Sequence, residues 1–134
     1  MRKLRDNTMP QTDPARRAEI HAFVVAFYDR VRAHKDLGPI FNERLDGHWA
    51  VHFKRLTDFW VTILLGTPAY KGNPFEVHQM LPDLTPELFT EWLTLFEQTA
   101  PEMLSPALAE KAVERAHRIA DSLQQGLFFR PQAS

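Results

Sequence analysis

At 134 residues, with 44% hydrophobic and 25% charged side chains, the chain has the composition of one soluble globular domain with a sizeable core. Its formal net charge of −1 comes from 16 basic and 17 acidic residues without a long basic run, which argues against nucleic acid as a partner. The lack of cysteine excludes disulfides, a thiolate nucleophile and cysteine-based zinc or iron–sulfur sites and fits a reducing cytoplasm, and no apolar run nears the roughly 20 residues of a membrane span.

The N-terminal stretch MRKLRDNTMPQTDP is charged and has no apolar centre, so it does not read as a secretory signal. Residues 1–13 are expected to be a mobile tail, 14–128 the domain, and 129–134 a second tail. Four X-Pro pairs mark helix starts: Asp13-Pro14, Asn73-Pro74, Thr85-Pro86 and Ser105-Pro106. Each places a capping side chain before a proline whose missing N–H costs nothing in a first helical turn.

The first helix is predicted from about Pro14 to Ala33, with Ile20, Val24, Phe27 and Val31 as its apolar stripe and Tyr28 beside it. The segment DLGPIF (36–41) reads as a sharp turn at Gly38-Pro39 that delivers Ile40 and Phe41 to the core edge. The second long helix is predicted from about Gly47 to Leu65. Its inner face carries Trp49, Phe53, Leu56, Phe59, Trp60, Ile63 and Leu64, with His52 inward or at the stripe's edge. Then comes YKGNPFEVHQMLP (70–82), a loop framed by glycine and proline and holding one short helical turn, in which Phe75 and His78 share a face. A third long helix runs from about Pro86 to Thr99, with Phe89, Trp92, Leu93 and Phe96 on one face. The last runs from about Pro106 to Leu127, with Leu108, Ala112, Ala116, Ile119 and Leu123. No strand, repeat or low-complexity segment is predicted, and the sum is an all-α bundle or globin-like packing.

His78, on the apolar face of a very short helix between longer ones, has the setting of a metal or haem ligand. A core histidine bonded to a carbonyl explains it more cheaply. His48 and His52, at i and i+4, have a zinc-chelating spacing, but no glutamate follows His48 and a third ligand must come from elsewhere. There is no nucleophile elbow and no glycine-rich phosphate loop. Tyr28, His52 and Trp92 bring a phenol, an imidazole and an indole N–H to or near the inner faces of three helices. Core packing accounts for any one of them, and less well for all three opposite a candidate ligand histidine.

Taken together, FYDRVRAHKDLGPIF (27–41), WAVHFKRLTDFWVTILLG (49–66), YKGNPFEVHQMLP (70–82) and FTEWLTLFEQT (89–99) resemble the group III truncated haemoglobins over nearly all of residues 16–128. The paired-glycine loops of groups I and II are missing, which favours group III. The chain departs from the pattern in its longer, arginine-rich N-terminus and in the Asn42–His48 connection. The resemblance implies a shortened globin fold, two helices packed over two, around a b-type haem. It implies that His78 is the proximal iron ligand. Tyr28, His52 and Trp92 then take the distal positions: Tyr28 and Trp92 as hydrogen-bond donors to the bound ligand, and His52 as the residue linked to pocket opening. Phe41 matches the phenylalanine packed on the porphyrin face, Trp60 a pocket-wall tryptophan, and Arg55 a basic residue near a haem propionate.

The chemistry of such a pocket agrees. A flat apolar macrocycle needs aromatic and aliphatic walls, which Phe41, Leu56, Phe75, Leu81, Leu93, Phe96 and Ile119 can supply. The expectation is therefore a haem protein binding dioxygen and related diatomic ligands (CO, NO, and cyanide as a probe). NO dioxygenation or a peroxidase-like reaction is conceivable for it, with an unidentified reductase, since no reductase domain is present in the sequence. Two rivals stand beside it: an all-α interaction module without cofactor, and a zinc protein using His48, His52 and a third ligand.

Overall fold

The computed structural model describes residues 14–66 and 84–128. Both expected tails, and the 67–83 segment with Phe75, His78 and Leu81, lie outside the described residues. Among the described residues there are five helices and no strand: α1 (Pro14–Ala33), α2 (Leu37–Leu45), α3 (Trp49–Leu65), α4 (Pro86–Met103) and α5 (Pro106–Phe128).

Helix α1 sits at the centre, packed against α2, α3 and α4, while α5 closes on α4 and touches α3. The pairs α1/α3 and α4/α5 thus form the two layers of a two-over-two sandwich. The residues Ile20, Phe23, Val24, Phe27, Tyr28 and Val31 of α1 are all buried. They recur at helical spacing, so one continuous stripe meets three neighbours. Phe96 of α4 meets Phe23 at 5.1 Å and Phe27 at 5.0 Å between ring centroids, both edge-on. Truncating an enclosed phenylalanine of this kind costs about 3–5 kcal/mol. On the α5 side Ala109, Ala112, Ala116 and Ala120 are buried, so small residues let α5 approach closely.

Polar groups fix how α1 lies on α3. Arg17 donates to Asp58 Oδ1 at 2.6 Å and Lys54 donates to Oδ2 at 3.0 Å. Burial alone would raise the Asp58 pKa; the hydrogen bonds and charges of Arg17 and Lys54 outweigh it and hold the carboxyl below its ordinary value. Beside it on α3 the fully buried Thr57 donates its hydroxyl to the Phe53 carbonyl, one turn back, at 2.8 Å. Its single proton is thereby used, so the 3.1 Å contact with His21 Nδ1 must be donated by the imidazole. At the other end Arg30 holds Thr99 Oγ1 at 2.9 Å and also pairs with Glu102, tying α1 to the last turn of α4.

Two expectations need correction. The DLGPIF segment is not a turn: Gly38 and Pro39 are inside the first turn of the nine-residue helix α2. Proline is tolerated there because a first-turn N–H has no intrahelical acceptor. Glycine is required for closeness, since a Cβ at Gly38 would lie 2.3 Å from the Arg32 carbonyl oxygen. Phe41 still arrives in the core, fully buried. The third long helix does not stop at Thr99 either. It continues through Pro101 to Met103, because a proline so close to the end removes only one late hydrogen bond and Arg30 grips that turn. Thr85 caps the start of α4 as expected, accepting from Leu88 N at 3.2 Å.

Candidate ligand-binding site

Three helices, α1, α3 and α4, bring their polar-tipped aromatic residues to one place, and α2 adds Phe41. Tyr28 of α1 is the centre, with 3% of its surface exposed. Its ring meets Phe27 at 4.7 Å, His52 at 5.7 Å, Phe41 at 5.9 Å and Trp49 at 6.1 Å. Trp92 of α4 lies beyond Phe27, edge-on at 5.5 Å. Trp49 and His52 are one turn apart on α3, with rings edge-on at 5.7 Å. The spacing in sequence dictates this, because i and i+3 share a helix face.

The electrostatics follow from burial. Removal from water pushes the Tyr28 phenol far above its ordinary pKa, an effect the nearby Trp92 indole partly offsets. The two groups are close without reaching hydrogen-bond geometry, and Trp92 Nε1 has no partner among the described residues. His52 is 4% exposed, and burial, helped by the positive charge of Arg55, lowers its pKa from 6.5 to about 4. At neutral pH the pocket therefore holds a neutral phenol and a neutral imidazole. Three of its nitrogens are buried and have no partner among the described residues: Trp49 Nε1, His52 Nε2 and Trp92 Nε1. Buried polar groups nearly always have partners, so three such nitrogens around one phenol, without partners among the described residues, set this cluster apart from ordinary core.

No family model matches the chain. Over 105 residues it is 37% identical to a group 3 truncated haemoglobin of Campylobacter jejuni, an alignment covering 76% of this chain and 83% of that protein. The chain belongs to the group III truncated haemoglobins. The crystal structure of group III truncated haemoglobin from Campylobacter jejuni matches this truncated haemoglobin with a TM-score of 0.72 and 35% identity, covering 83% of this chain and 90% of that one.

Within the family fold, the expected residues are distributed as follows. Tyr28, His52, Trp92 and Phe41 converge in the cluster described above. Leu56 and Trp60 are buried on α3, one and two turns beyond His52. Phe96 is fully enclosed by aromatic neighbours, including Trp92 at 5.7 Å and Trp60 at 5.4 Å. Leu93 and Ile119 are half-buried against the core, and Arg55 is exposed one turn after His52. His48 is exposed while His52 points inward, so the pair does not face one way. Among the described residues no group of three His, Cys, Asp or Glu is placed to hold a metal ion.

Two contributors were not singled out from the sequence. Trp49 looks like one more stripe residue; only its spacing to His52 hints at a place in the pocket. His34 caps α2 with its ring: Nδ1 accepts from Asp36 N and Leu37 N, both at 3.1 Å, while Nε2 faces Glu91 at 3.3 Å. A histidine before a helix start carries no capping signal comparable to Ser, Thr or Asp.

Proposed function

We propose that this truncated haemoglobin holds haem b between the distal cluster and His78, and binds dioxygen and related diatomic ligands there. When bound, the haem iron supplies the attachment point for those ligands and the means to change oxidation state. The protein groups do the rest. His78 is the proximal ligand. Phe41, Leu56, Phe75, Leu81, Leu93, Phe96 and Ile119 furnish apolar walls, and Arg55 stands for a propionate.

The carrying observation is the convergence of Tyr28 with three buried, unpartnered nitrogens. The residues fit the ligand in kind. A phenol whose pKa is raised by burial remains protonated and remains a donor. The Trp92 indole is a donor at every pH and has no acceptor among the described residues to surrender. Bound dioxygen carries partial negative charge, and a hydrogen bond to such a group is worth roughly 1.5–3 kcal/mol. Two donors aimed at one acceptor favour long retention over rapid release. That suits handling of reactive oxygen or nitrogen species, with electrons returned by a separate reductase, better than oxygen transport.

Haem titration into the purified apoprotein tests this reading. Stoichiometric saturation with a sharp Soret band that moves on reduction and CO addition is expected. Non-saturating, featureless haem absorption would return the aromatic cluster to the role of core packing in a cofactor-less module.

A further inference from the structure

Trp49 and Arg32 form a contact that the ligand site as described does not use. The Arg32 guanidinium lies over the Trp49 ring, 4.5 Å from its centroid, and its Nε donates to Asn42 Oδ1 at 3.2 Å. One side chain of α1 thereby holds both α2 and the first residue of α3. Besides this contact, the start is held by the His48 N to Leu45 O bond at 2.8 Å and by the Tyr28 ring, 6.1 Å from that of Trp49. His48, the residue before α3, makes no side-chain capping bond, and Gly47 before it sits at φ +83° with no atom near its α-carbon's open side. The first helical bond of α3 runs from His52 N to His48 O at 3.0 Å. His52 is thus in the opening turn of a helix that is uncapped, preceded by a glycine in the left-handed region, and fastened through Trp49.

We infer that Trp49 is a positioning residue for His52, and that its stacking against Arg32 is the latch that keeps His52 turned into the ligand site. The inference rests on the distal-site reading above and adds what controls it. Release of Trp49 from Arg32 lets the first turn of α3 pivot at Gly47. That movement breaks the His52 N to His48 O bond and withdraws the imidazole from Tyr28. The path to the phenol is then open to a small ligand. Trp49 Nε1, buried and unpartnered, moves with it.

The test replaces the cation and keeps the stem: Arg32→Met, with Arg32→Lys as the conservative variant. Two quantities are read, hydrogen exchange of the His52 amide and CO association after photolysis. A cation–π contact at a partly exposed site is worth about 0.5–1 kcal/mol, so both rates should rise roughly two- to fivefold in Arg32→Met and less in Arg32→Lys. In a His52→Ala background the Arg32→Met effect on CO association should vanish, because there is no imidazole left to move. Unchanged His52 amide exchange overturns the latch. So does an equal gain in CO association with and without His52, which would show that Arg32 acts on ligand access by another route. A chain that bound no CO would defeat the haem reading, and the amide exchange rates, measured equally well without haem, would still decide the latch.

Discussion

His52 stands edge-on to Tyr28, ring centroids 5.7 Å apart and planes at 80°. This places a neutral imidazole from α3 directly against the neutral phenol that α1 keeps at the centre of the site. The same contact covers the phenol and depends on the imidazole remaining uncharged. In the proposed ligand site, access and donor strength are therefore properties of one pair of residues.

The pH dependence of folding follows from that pair. The folded-state pKa of His52 is lowered to about 4, so between about 4 and 6.5 the unfolded chain binds the proton more readily. Stability should rise with pH through this window, by roughly 3 kcal/mol for a displacement of this size. Asp58 acts in a separate window. Its pKa is lowered, so its contribution is present above the ordinary carboxylate value and is lost only as pH falls through the depressed one. Urea unfolding of the apoprotein at pH 4.5 and 7, compared with His52→Phe, isolates the histidine. An unaltered slope in that variant would show that the imidazole is not held neutral by burial.

Replacing His52 by alanine should leave haem content intact and change ligand association several-fold. Its Nε2 has no partner among the described residues to lose, and its neighbours Tyr28 and Trp49 retain their other contacts. Haem stoichiometry and CO association by flash photolysis check this. Loss of haem would make His52 a holding residue instead.

His78→Ala should give protein with little haem, or haem that is recovered on adding imidazole, because the variant lacks the imidazole proposed as the proximal ligand. Haem content and the ferrous spectrum are the readouts. An unchanged spectrum would assign the iron to another residue.

Gly38→Ala should destabilise the fold by about 1–3 kcal/mol, as overpacking commonly does, since the new methyl meets the Arg32 carbonyl oxygen at 2.3 Å. The displaced α2 would shift Phe41 off Tyr28, so the loss should extend to haem affinity. Chemical denaturation measures the first effect and haem titration the second.

Much of this was legible from residue spacing. The stripes of α1, α3, α4 and α5 repeat at helical intervals, and Thr85-Pro86 marks the start of α4 where it is found. Local rules failed where tertiary contacts overrode them. Gly38-Pro39 has the look of a turn, and only the crossing of α2 over Arg32 explains a glycine inside a helix. Pro101 has the look of a stop, yet the Arg30 clamp carries α4 past it. Tyr28, His52 and Trp92 could be named from the sequence because polar tips on apolar faces are conspicuous. Trp49 could not, since an indole in an apolar stripe gives no sign that its N–H is unpartnered. His34 was equally hidden, because capping by a histidine ring depends on the path of the chain after it.

The central claim is that Tyr28 and Trp92 together hold bound dioxygen, and dissociation kinetics of Tyr28→Phe, Trp92→Phe and the double variant test it most directly. CO draws far less on hydrogen-bond donors than dioxygen does, so it serves as the internal control. Each single variant should raise the dioxygen off-rate roughly 10- to 150-fold, the equivalent of one hydrogen bond to a charged acceptor, with much smaller changes for CO. The donors share one acceptor, so the double variant should fall short of the product of the two. Single-variant dioxygen off-rates within a factor of about two, under ~0.5 kcal/mol, and no coupling in the cycle would contradict the account.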